Sequence, residues 1–211
     1  MPAEATIQQL AVNGVSVDQF IDTINTVRDD PRAGRFTFRS HSHWIRGSHI
    51  VTTVKDFTHA GVEDTSRNVT FVMDAGEPSV LLGRDEGPTP FEALLHAMAS
   101  CLATSFVYYA SAREVKIDAL EMHLEGEIDL QGFLGLSRKI RNGFDRIRVT
   151  FAVTSDAPRE TLDELCSLAQ RRSPLFDMIS NPVPVTVEMR TKSECFEPGR
   201  LAVAGRRPRV W

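Results

Sequence analysis

The sequence is poor in cysteine. Cys101, Cys166 and Cys195 are its three, far apart, with no Cys-x-x-Cys pair and no zinc-ligand spacing. That speaks against a disulfide scaffold and fits a reducing, cytoplasmic compartment. Excess positive charge is also lacking. The chain has 24 Lys and Arg against 28 Asp and Glu, a net charge of -4, and a dedicated nucleic-acid binder would carry a basic domain. The first ten residues have neither a basic start nor an apolar stretch, so no secretory signal is expected. No internal repeat stands out. One stretch, residues 90–112, is apolar and long enough to cross a bilayer. It contains Glu92, His96, Ser100, Thr104 and Ser105, however, and many of its apolar residues are alanine. It is expected to be the core helix of a soluble protein.

At 211 residues, 42% hydrophobic and 25% charged, the chain suits one domain with extensions and can bury a core without covalent staples. Residues 16–27 carry Val17, Phe20, Ile21, Ile24 and Val27 at helical spacing, with Ser16 as a candidate cap. This helix needs a surface to pack on, and a polar linker (RDDPRAG) follows it. Residues 35–56 read as a hairpin turning at Arg46-Gly47, and 68–73 as a third strand. Thr89, Pro90 and Glu92 form a capping box with proline at the first helical position. If the helix runs to Arg113 it is roughly 35 Å long, and its nearly uniform apolarity predicts burial on most sides. Small residues at Ala97, Ala99, Ser100 and Ala103 would let another helix approach closely.

Residues 117–130 and 144–154 alternate apolar and polar, as half-buried strands do, around an irregular connection at 131–142. Residues 158–171 have helical spacing. Ser173-Pro174 then caps a short helix, and VPVTVEM (183–189) reads as a last strand. Residues 193–211 are rich in Arg and Pro and read as a flexible tail or a strap, not a nucleic-acid site. The order implies an α+β fold, antiparallel sheets around a buried helix. By itself it names no reaction.

The run GRDEGPTPFEALLHAMASCLAT (83–104) resembles the OsmC/Ohr family, in which a Gly-rich loop and a GPSP-like turn lead into a central helix bearing a cysteine. The strands IDALEMHLEGEIDL and FDRIRVTFAVT, and the segment TLDELCSLAQRRSPLFDMIS, resemble the family's central strands and later helix pair. The resemblance covers about residues 35–190. It implies an OsmC-like domain over 35–192, between an N-terminal helical extension (1–34) and the tail. It also implies an intertwined homodimer with long central helices in the middle and two sites at the interface.

The activity implied is reduction of organic hydroperoxides. One cysteine attacks the peroxide as a thiolate and becomes a sulfenic acid; a second condenses with it into a disulfide that an external thiol reduces. By this resemblance Cys101 is the peroxidatic cysteine. Arg46 matches the arginine that keeps it ionised, with Arg39 as the runner-up. Glu92 stands one position after the glutamate of the Ohr branch, where this chain has Phe91. The second cysteine is replaced by Ser173, which cannot form a disulfide. Cys166 lies seven residues upstream, ~10 Å along an ideal helix, beyond the roughly 7 Å between Cα atoms that a disulfide needs; it would serve only after a large rearrangement. Cys195 lies in the tail.

Each of these residues also has a plainer reading. A cysteine in an apolar helix is ordinarily an inert small hydrophobe. Glu92 is accounted for by its capping box and Ser173 by its N-cap. His96 is about 140° round the helix from Cys101, which makes a poor catalytic pair, and it reads instead as a hydrogen-bonded helix histidine. His41 and His43 share a strand face near His49, yet no acidic or cysteine partner has ligand spacing, so neither metal nor cofactor is expected. Two functions follow. The first is a thiol-dependent hydroperoxide reductase using Cys101 alone, with an external small thiol as resolver. The second is a binding protein that keeps an apolar interface pocket, lined by residues such as Phe106 or Tyr108, and has lost peroxidase cycling.

Overall fold

The computed structural model describes residues 11–191; Cys195 and the Arg/Pro-rich tail lie outside them. Contacts divide the chain into a unit ending at Asn181 and a second beginning at Pro182. The first unit opens with a small hairpin, β1 (Ala11–Val12) and β2 (Val15–Ser16). It turns at Asn13-Gly14, both at positive φ, a turn chemistry that suits this dipeptide. Helix α1 (Val17–Asp29) follows, with Ser16 accepting from the Gln19 amide as its cap. A 3₁₀ turn (Pro31–Gly34) leads on.

The hairpin expected at 35–56 is split. Strands β3 (Phe36–Phe38) and β4 (His41–Arg46) run up; β5 (His49–Val54) and β6 (Phe57–His59) run back. Both legs break at the same height, at Arg39-Ser40 and Lys55-Asp56, so one ribbon feeds two three-stranded antiparallel sheets. β6 pairs β3 and β7 (Val62–Asp64), while β5 pairs β4 and β8 (Phe71–Ala75). The third strand begins at Phe71, not at Asn68 as the sequence suggests, and β7 goes unannounced by its short VED run.

Thr89 caps α2 (Pro90–Ala112) through the expected capping box with Glu92. β9 (Ala119–Glu127) and β10 (Arg146–Thr154) form an antiparallel ribbon with one half-buried and one exposed face. On the exposed face Arg146 pairs with Glu127 and Arg148 with Glu125, directly opposite one another and each at 3.0 Å. Between these strands, the connection begins with a single turn, α3 (Leu130–Phe133). α4 (Arg159–Arg172) and α5 (Pro174–Ser180) follow, hinged at Ser173.

The core lies where α2 meets α4 and the ribbon. Phe106, Ala110, Leu165 and Ala169 are wholly buried there, with Leu120, Phe151 and Val153 packed around them. Only one stripe of α2 is covered: Met98, Leu102, Phe106 and Ala110, at i, i+4 spacing. The small residues Ala97 and Ser100 are exposed, as are Leu94 and Tyr108. The expectation of burial on most sides is therefore not met among the described residues, which leave that second face open apart from the contact of Phe20 with Tyr108. In the second unit, residues 183–189 form no strand. A strand needs a ladder partner, and VPVTVEM pairs with no other strand among the described residues.

The N-terminal helix docks only through its first turns: Val17 is buried and Phe20 reaches α2, while Ile21, Ile24 and Val27 of the expected apolar stripe stay exposed. Phe20 meets the rings of Tyr108 and Tyr109 edge-on at 5.4 and 6.3 Å. Asn13 locks the preceding turn to the end of α2. It donates to Ser111 Oγ (3.1 Å) and the Val115 carbonyl (2.9 Å), and accepts from the Ile117 amide (2.8 Å).

Candidate functional site

Cys101 sits on α2 between the buried Met98 and Leu102 and is itself half-buried. The junction of α4 and α5 covers it from one side. Ser173 ends α4 and caps α5 in a single residue, with Pro174 at the first helical position. Its hydroxyl accepts the Phe176 amide at 3.2 Å and donates to Cys101 Sγ at 3.1 Å. Ser173 is 1% exposed. Two residues 72 positions apart, each with an ordinary local explanation, are thus bonded to one another. The sequence pattern marks both, but only the packing of α5 on α2 brings them together.

Arg46 is elsewhere. It ends β4 beside the turn at Gly47, is 59% exposed, and has Glu86 as its acidic partner at 3.6 Å. Glu86 was not singled out from the sequence. It lies in the loop before the Gly87-Pro88-Thr89-Pro90 turn, and its Oε2 is buried without a hydrogen-bond partner among the described residues. That loop is folded tightly: a Cβ on Gly87 would stand 2.5 Å from the Asp74 carbonyl, so only glycine fits there. The runner-up Arg39 is bound to Glu63 and to Thr58 Oγ1 on the β3–β6–β7 sheet.

The Glu92 carboxylate accepts a hydrogen bond from the Thr89 amide at 2.8 Å. That bond, and then the Thr89 side chain, holds its pKa below the ordinary glutamate value. Phe91 packs edge-on against Phe144 at 5.6 Å. Phe144 in turn lies over Gly126 of β9, where any Cβ would meet the ring at 2.4 Å. The aromatic residue after Pro90 therefore seats the start of α2 on the ribbon.

Cys166 borders the core cluster. Burial, and secondarily the Asp163 carboxylate, push its thiol pKa up, against the opposing pull of Arg159. It is the wrong environment for a reactive thiolate. His96 is exposed on α2, and Cys101 is not its partner. Its side chain makes no hydrogen bond among the described residues, so the expected hydrogen-bonded helix histidine is not found at this exposed position. His41 and His43 meet ring to ring at 4.4 Å, and His49 pairs with Asp74 at 2.8 Å. Among the described residues no three His, Cys, Asp or Glu side chains group around a metal position. An open cleft of about 580 Å³ between α2 and α4 is lined by Arg113, Glu160, Asp163, Glu164, Ser167 and Arg171. It contains neither Cys101 nor Ser173, and its mixed charges already answer one another, as in the Arg113–Glu164 pair.

A family model described as OsmC-like protein matches residues 83–188, half of the chain. No curated protein matches it. Among solved structures, the chain is similar to an OsmC like protein from Mycoplasma pneumoniae at 15% identity, with a TM-score of 0.54. The match covers 69% of this chain and 89% of that one, and it shows the shared fold. A second, an organic hydroperoxide resistance protein OsmC from Legionella pneumophila, is 16% identical, covers 69% of this chain and 90% of that one, and has a TM-score of 0.48.

Proposed function

The chain belongs to the OsmC-like protein family, and from that premise we propose that it reduces organic hydroperoxides with Cys101 as its one reacting thiol. The observation that carries this reading is the 3.1 Å bond between Cys101 Sγ and Ser173 Oγ. The resemblance pairs a cysteine on the central helix with a second at the start of the short late helix, and these are the two positions that meet here. In this reading the Cys101 thiolate attacks a peroxide oxygen. An S–O bond forms, the O–O bond breaks, and the alkoxide leaves with a proton as an alcohol. Ser173 cannot condense with the resulting sulfenic acid, so a small external thiol attacks the sulfur and expels water. A second thiol molecule then frees Cys101 and departs as a disulfide with the first.

The reading includes a homodimer. The open face of α2 and the exposed Trp44, Phe71 and Met73 of the β4–β5–β8 sheet support it, since apolar surface of this extent is normally covered. Arg46, held beside Glu86, is proposed to serve the sulfur in that assembly. Turnover of cumene hydroperoxide with a small dithiol as reductant tests the reaction. The wild-type protein is expected to turn over and Cys101→Ser to be inactive; equal turnover in both would refute it.

A second reading has its own support. Ser173 in place of a cysteine also suits a protein that binds a small apolar ligand and no longer cycles. That reading predicts thermal stabilisation by the ligand that persists in Cys101→Ser.

A further inference from the structure

Ser173 uses both ends of its hydroxyl. A helix N-cap needs the acceptor end, which takes the Phe176 amide. On an exposed cap the hydrogen would go to water. Here the residue is 1% exposed, and the hydrogen goes to the sulfur of Cys101. The hydroxyl has little freedom to do otherwise. Its backbone closes one helix and opens the next, and the ring of Pro174 fixes the following φ.

We propose that Ser173 is a positioning residue for Cys101. Its O–H fixes the rotamer of the thiol and turns the sulfur's remaining lone pairs away from α5, in the attitude that meets a hydroperoxide. This rests on the reading of Cys101 as the reacting group. Without that bond the sulfur samples other staggered rotamers, and the fraction in near-attack geometry falls. After oxygen transfer the same hydroxyl lies beside the sulfenic acid. An oxygen there forms no S–S bond, so the oxidised sulfur stays open to a small thiol.

Three variants separate positioning from capping. Ser173→Thr keeps donor and acceptor. Ser173→Gly is a tolerated cap without a donor. Ser173→Ala is a poor cap without a donor. The quantity to read is the second-order rate of Cys101 oxidation by cumene hydroperoxide, with the denaturation midpoint alongside. Thr is expected within about threefold of wild type, and Gly and Ala both slower by about tenfold, less than the hundredfold that a misplacement of roughly 1 Å can cost. Gly should nonetheless be the more stable of those two. Rates that follow stability instead, with Gly near wild type, would overturn the proposal, as would three unchanged rates. If Ala does not fold, Thr and Gly still decide. Ser173→Cys adds an independent arm: one equivalent of hydroperoxide should link positions 101 and 173 by a disulfide. A failure to link them while wild-type Cys101 oxidises would mean the sulfur is not held there. A wild-type Cys101 that does not oxidise at all would overturn the proposed reaction and this role together.

Discussion

At the scale of single residues, the structure separates groups that the sequence leaves side by side. Glu92 and Glu86 both precede Cys101 by a short distance, yet one closes a helix cap and the other faces Arg46. The capping role has a sign that can be checked. Because the cap lowers the Glu92 pKa on folding, its charge contributes stability above the ordinary glutamate pKa. That contribution is lost as pH falls through the lowered folded value. Glu92→Gln keeps the box without the charge. Denaturation midpoints of the two proteins should therefore differ at neutral pH and converge in acid; a constant difference would contradict this account. For Glu86, substitution by Gln frees Arg46. The expected result is slower Cys101 oxidation by hydroperoxide, a larger effect than Glu92→Gln produces in the same assay. Capping was legible because it depends on residues three apart. The Arg46–Glu86 pair was not, because the fold alone joins residues forty apart.

At the scale of elements, the long strands and helices follow their sequence periods closely. β9 and β10 alternate as written, and α2 and α5 begin where threonine, serine and proline say they should. The short pieces did not announce themselves. β3 and β6 are three residues each, too brief for a period, and the break between sheets depends on pairing, not on local preference. The N-terminal hairpin was missed for the same reason, although its Asn13-Gly14 turn was a usable signal. Asn13 fills three hydrogen bonds at the end of α2, so Asn13→Ala should leave partly buried groups unpaired. A loss of about 1–3 kcal/mol is expected in chemical denaturation; a change near zero would mean the hairpin is only loosely held. Leu165, wholly buried among Phe106, Ala110 and Ala169, should cost about 2–5 kcal/mol when cut to alanine.

At the scale of the whole molecule, one chain leaves much of its apolar surface uncovered. Only one stripe of α2 is buried, and Trp44 is 70% exposed on its sheet. The proposed homodimer accounts for both, and sedimentation should give twice the 23.5 kDa of the chain. Trp44→Glu on the exposed sheet should shift that mass toward the monomer; an unchanged mass would remove this sheet from the interface. The sequence resemblance reached the fold and the pairing of positions 101 and 173 in principle. It could not show that serine would be aimed at the cysteine, since that direction depends on how the α4–α5 junction packs against α2. The central claim is that Cys101 reacts. Its most direct test is to treat the reduced protein with one equivalent of cumene hydroperoxide in the presence of a sulfenic-acid trap, then map adducts by mass spectrometry. A trapped sulfenic acid on Cys101, with Cys166 unmodified, is the predicted result; an unmodified Cys101 would contradict the account.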